Sequence, residues 1–138
     1  SLFRQNPEQY YIGLIGGYIG LATIFSFEEM VEEIKFLQGE AKTFFNNLVD
    51  NDSSMELRWN FLDAFLQSCI FYANKNNKEY MDSLEKAIGY AEKLESRENP
   101  LFFQYLQRME STLNRLKKKI KIIDFFNNWI AIYEYINS

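Results

Sequence analysis

Hydrophobic positions recur every three or four residues along most of this chain, which is the spacing of one face of an α-helix. Asn6-Pro7-Glu8-Gln9 reads as a helix start, with Asn as N-cap and Pro in the first turn, opening a helix over about residues 7–24. Ser26-Phe27-Glu28-Glu29 has the form of a capping box, Ser26 to Glu29. Phe27, Met30, Ile34, Leu37, Ala41, Phe44 and Leu48 follow as a helical seam, up to the polar loop Asp50-Asn51-Asp52-Ser53-Ser54. A third helix over 55–73 is apolar almost all round, the pattern of a central helix, with Asn60, Asp63, Gln67 and Asn74 as its polar stripe. A fourth, about 78–95, carries Tyr80, Leu84, Ala87, Ala91 and Leu94 on one face. Asn99-Pro100 repeats the cap-plus-proline start. The fifth seam, Phe102, Leu106, Met109, Leu113, Leu116, Ile120 and Ile123, suits antiparallel packing or a dimer contact. Asp124 reads as the cap of a sixth helix with Phe126, Trp129, Ile130, Tyr133 and Ile136. The expected fold is all-α, about six helices in an antiparallel bundle or a helical array.

The first of these helices is unusual. Residues 9–27 carry no charge, and Gly13, Gly16, Gly17 and Gly20 interrupt the apolar run. Each glycine costs about 1 kcal/mol relative to alanine in a helix interior, so four of them need a reason. Three readings stay open: a buried helix that lets a neighbouring backbone approach closely, a hairpin turning at Gly16-Gly17, and a membrane segment with paired GxxxG spacings. The Asn6 cap favours a helix over a hairpin.

Composition then removes whole classes of chemistry. The chain has 138 residues, a single domain by length, and 47% hydrophobic and 17% aromatic content excludes disorder. It opens Ser1-Leu2 without methionine, which leaves open that 1–138 is a piece of a longer protein. With no histidine there is no imidazole base, no Ser-His or Cys-His nucleophile and no histidine metal ligand. The same absence excludes a helical ribonuclease module built on an Arg-and-His motif. A single cysteine excludes disulfides within the chain and thiolate zinc sites, and fits a reducing, cytoplasmic setting. Cys69 itself lies among apolar neighbours and reads as core.

Trp59, Leu62 and the segment Glu85-Lys86-Ala87-Ile88-Gly89-Tyr90-Ala91-Glu92-Lys93-Leu94, closed by Pro100, resemble a tetratricopeptide-type helical hairpin over residues 59–100. Ala87 and Ala91 match the small positions of that motif's second helix. The resemblance implies a domain that binds peptides or partner proteins. It would make Asn60, Asp63 and Gln67 a groove gripping an extended backbone through their polar side chains. On its own, the stripe is also what a water-facing edge looks like.

Glu28-Glu29-Met30-Val31-Glu32 resembles the EExxE half of the all-α nucleoside triphosphate pyrophosphatases, and Glu79-Tyr80-Met81-Asp82 has the form of their ExxD half. The resemblance implies magnesium held by Glu28, Glu29, Glu32, Glu79 and Asp82, an alternative that needs no histidine. The macrodipole equally favours acids in a first helical turn.

Charge is divided along the chain. Residues 1–98 carry nine basic and sixteen acidic groups, whereas 99–138 carry six and three, with Arg115, Lys117, Lys118, Lys119 and Lys121 together. That basic stretch could meet an acidic partner, a phosphate backbone or a membrane surface, although the net charge of −4 argues against general nucleic-acid affinity. The last helix has more rings than one buried face needs, which marks Phe125, Trp129 and Tyr133 as an interface. No phosphate-binding loop, dinucleotide fingerprint or zinc spacing occurs, so no cofactor is expected. The leading expectation is a non-catalytic interaction or peptide-sensing domain with a protein or peptide partner, a homodimer included. The alternatives are the magnesium-dependent pyrophosphatase and a membrane-linked or nucleic-acid-binding adaptor, with membrane contact through residues 9–27.

Overall fold

The computed structural model describes residues 7–48, 53–95 and 100–137, and no strand occurs among them. Among the described residues the protein is all-α, with five helices: α1 (Pro7–Phe27), α2 (Val31–Leu48), α3 (Ser53–Ala73), α4 (Asn77–Glu95) and α5 (Pro100–Ile136). The expected caps Asn6 and Asn99, and loop positions 49–52, lie outside the described residues.

α3 is the hub, packed against α1, α2 and α4, while α5 joins the others mainly through α4. Its apolar circumference explains this, since Phe61, Leu62, Leu66, Cys69 and Ile70 point to different neighbours and are all buried. Each such large side chain contributes about 1.5–3 kcal/mol by leaving water. Ala87 and Ala91 are fully buried between Leu84 and Leu94, where their small size lets α4 lie close to α3. Arg58 of α3 is buried as well, with its guanidinium 5.3 Å from the ring centre of Tyr11 on α1.

Several expectations change. The helix expected after Asp124 is not a separate one, because α5 runs unbroken for 37 residues through Asp124. Neither glycine nor proline follows Pro100 to interrupt it. The Ser26–Glu29 capping box does not form. α1 continues to Phe27, and the buried Ser26 donates its hydroxyl to the Thr23 carbonyl at 2.7 Å. Residues 10–23 are helical, so the hairpin is absent. The Gly13, Gly17 and Gly20 positions are exposed, and an added Cβ would meet nothing within 4 Å, so close backbone approach does not account for those three. No helix among the described residues is long and apolar enough to cross a membrane, α1 included. On α2, Ile34, Leu37 and Ala41 are buried as their spacing predicts, but Phe45 rather than Phe44 completes the seam.

Two corners turn the chain in the same way. After α1, Met30 N–H bonds Phe25 O at 2.9 Å and Glu29 N–H bonds Ser26 O at 3.3 Å. After α3, Asn76 N–H bonds Phe71 O at 2.9 Å and Lys75 N–H bonds Tyr72 O at 3.0 Å. Both are Schellman closures, and both put a side-chain-bearing residue in the left-handed region, Glu29 at φ 57° and Lys75 at φ 59°. Those two residues then meet, Lys75 Nζ to Glu29 Oε1 at 3.3 Å. The second corner also caps the helix that follows, because Asn76 Oδ1 accepts from Glu79 N–H at 3.3 Å.

Candidate functional site

The polar stripe of α3 does not simply face water. Asn60, Asp63 and Gln67 line a groove of about 370 Å³, closed on its other side by Glu79, Asp82 and Lys86 of α4. Gln38 of α2 reaches across and donates to Asp63 Oδ1 at 2.9 Å and Gln67 Oε1 at 3.3 Å. Two residue sets that the sequence assigned to different chemistries therefore share one groove. Its amide, carboxylate and ammonium groups can hydrogen-bond an extended chain.

The other half of the pyrophosphatase-like pattern is elsewhere. Glu29 is engaged by Lys75 at the α1–α2 corner, and Glu32 sits 3.6 Å from Lys35 on the surface of α2. Among the described residues, no three His, Cys, Asp or Glu side chains gather so as to hold a metal ion. Glu28, Glu29, Glu32, Glu79 and Asp82 are all within that set, so the carried-over shell is not assembled.

A second concavity, of about 360 Å³, lies between α1 and α5 and is floored by α3 and α4. Phe65, Cys69 and Leu84 make the floor. Phe27, Tyr72 and Tyr80 form a run of rings along it, edge to face, with centroids 5.7 and 5.4 Å apart. Arg108 and Arg115 stand on the α5 wall, both exposed, and neither is ion-paired among the described residues.

The floor is neutral at ordinary pH. Burial pushes the Cys69 thiol up to about 12, against a hydrogen bond with Ser68 that opposes the shift. Cys69 is therefore no nucleophile. Tyr80 also rises to about 12, chiefly through burial and further through Cys69 and Tyr72, with Arg115 pulling the other way. The hydroxyls are committed to their own helices. Thr23 donates to Ile19 O at 2.7 Å, Ser68 to Phe65 O at 2.6 Å, and Thr112 to Arg108 O at 2.9 Å.

This concavity was missed from the sequence. A signal was present, because Arg108, Thr112 and Arg115 have helical spacing and lie to one side of the Met109, Leu113 and Leu116 seam. Nothing in that spacing showed that α1 stands opposite.

The distal half of α5 is the third feature. From Ile122 to Ile136 every residue is exposed, including Phe125, Phe126, Trp129 and Tyr133. Trp129 and Tyr133 stack on each other, with centroids 5.6 Å apart and planes 15° apart. The basic residues Lys117, Lys118, Lys119 and Lys121 precede this arm on the surface, and Lys117 is tied to Glu85 of α4 at 2.8 Å. No protein-family model matches the chain, no curated protein matches it, and no solved structure matches it.

Proposed function

We propose that the chain is a non-catalytic helical interaction domain that docks on a protein or peptide through the distal half of α5. One observation carries the reading. Ten large apolar side chains within 15 residues of that arm are between 45% and 83% exposed. Singly exposed hydrophobics are ordinary, whereas a contiguous strip with two aromatic pairs marks a surface that is covered in use. Phe125, Trp129 and Tyr133 are its centre, and the preceding lysines give it affinity for an acidic partner. The groove at Asn60, Asp63 and Gln67 is a second place for an extended chain to lie. A buried lone thiol supports a reducing, cytoplasmic setting.

On its own in solution, such an arm finds cover on a second copy. Light scattering coupled to size exclusion is expected to show concentration-dependent self-association. The triple variant Phe126→Gln, Trp129→Gln, Tyr133→Gln should abolish it without altering the unfolding midpoint of the dilute protein. A wild-type chain that stays monomeric at high concentration would sink the docking role of the arm.

A further inference from the structure

We infer that the concavity between α1 and α5 is a binding site for a small amphipathic carboxylate. The acid's tail lies on the aromatic floor, and its head rests on Arg108 and Arg115. This is independent of the arm.

The inference starts from what the cavity offers a ligand. Its volume of about 360 Å³ is within the range of small-molecule sites, and four helices enclose it. The floor supplies rings and aliphatic surface, and its thiol and Tyr80 phenol are both neutral at physiological pH. The hydroxyls of Thr23, Ser68 and Thr112 donate within their own helices, so they have no proton to give an anionic guest. Full charge comes from the two guanidiniums on the wall, which lack carboxylate partners among the described residues.

That combination discriminates by class. A neutral apolar molecule would fill the floor and leave the arginines in water. A cation would be repelled by them. A carboxylate gains a planar, forked donor that matches its two oxygens, while its tail removes aromatic surface from water. The guanidiniums belong to one helix, seven residues apart, about 10 Å along its axis. Side chains from those positions can approach one head group from two sides.

The probe is decanoate, below the concentration at which it forms micelles, titrated into the full chain by calorimetry beside decanol and decyltrimethylammonium. Decanoate is expected to saturate one site about tenfold more tightly than decanol, with no saturable binding of the cation. Arg108→Gln/Arg115→Gln should remove that preference while leaving decanol unchanged. Equal affinity for decanoate and decanol, or undiminished decanoate binding by the double arginine variant, would overturn the proposal. So would loss of decanoate binding in the Phe126→Gln, Trp129→Gln, Tyr133→Gln variant, which would assign the ligand to the arm. Absence of saturable binding by all three probes would overturn it too.

Discussion

Met109 and Leu113 are sealed against α4, whereas Phe126, Trp129 and Tyr133, with the same spacing some four turns further along α5, stand in solvent. The difference is one of partner rather than of pattern. α4 has 19 residues, about 28 Å, and α5 has 37, about 55 Å. Tyr80, near the start of α4, already lies beside Arg115, so the remainder of α5 overhangs. The seams also point differently. Continued strictly, the first would run through Ile123, Asn127, Ile130 and Glu134, half of them polar. The second, Ile122, Phe126, Trp129, Tyr133 and Ile136, is rotated by roughly 150° at 100° per residue. One half of the helix is core on one face, and the other is exposed all round.

The sharpest way to break this comparison is to truncate one ring in each kind of place. Phe61→Ala on the hub helix removes a fully buried ring and should destabilise by about 3–5 kcal/mol. Trp129→Ala, measured where the protein is monomeric, should stay within about 0.5 kcal/mol of wild type. Urea unfolding followed by circular dichroism gives both values. A large cost at Trp129 would mean that the arm folds back on the body, and the two halves of α5 would then no longer differ.

Legibility follows the same divide. Seams that meet a neighbour within the chain were readable from periodicity. Leu84, Ala87, Ala91 and Leu94 are buried as their spacing requires, and the all-round apolar α3 is central. Helix boundaries were less readable, because a cap is defined by backbone conformation and not by residue type. Asp124 and Ser26 both have capping chemistry, yet each lies inside a continuous helix. The glycines of α1 also misled. A glycine in an apolar run suggests close packing, but Gly13, Gly17 and Gly20 lie on the face opposite the buried Tyr11, Ile15 and Ala22. The groove on α3 was half readable from its stripe, whereas Gln38 comes from another helix. The cavity at Arg108 and Arg115 combines residues from four helices, and no local spacing encodes that meeting.

The floor of that cavity allows a second test, aimed at the buried interior against the exposed arm. A cysteine thiol ordinarily titrates at 9.0, and burial pushes Cys69 up to about 12 in the folded chain, so the folded state holds this proton more tightly than the unfolded one. Its contribution is fully present below pH 9 and is lost progressively as pH rises from there toward 12. Tyr80 follows the same sign from 10.0 toward about 12. Between pH 8 and pH 10 the cysteine dominates the difference. Wild-type stability should therefore fall over that interval by more than that of Cys69→Ala, irrespective of the variant's offset at neutral pH. Parallel curves for the two proteins would mean that the thiol is accessible to water and the floor is not sealed.

The smallest expected effect contrasts the two corners, which sit between packed helices but are themselves exposed. Lys75 holds φ 59°, where a Cβ crowds the following carbonyl, and the residue is there because the Schellman closure after Ala73 requires that conformation. Glycine relieves the crowding, so Lys75→Gly should gain about 1 kcal/mol from the backbone. Against this stands the lost contact with Glu29, whose partners are 78% and 59% exposed as side chains. An exposed pair of that kind contributes only a few tenths of a kcal/mol. The net expectation is stabilisation, a rise in Tm of about 2–4 °C by scanning calorimetry. Lys75→Ala separates the two contributions, since it removes the ion pair and keeps the Cβ, and it should lower Tm slightly. Glu29→Gly, at φ 57°, should reproduce the gain at the first corner. If Lys75→Gly instead lowers Tm while Lys75→Ala lowers it equally, the ion pair outweighs the left-handed backbone. The corner would then be held by charge, unlike the apolar interior it connects.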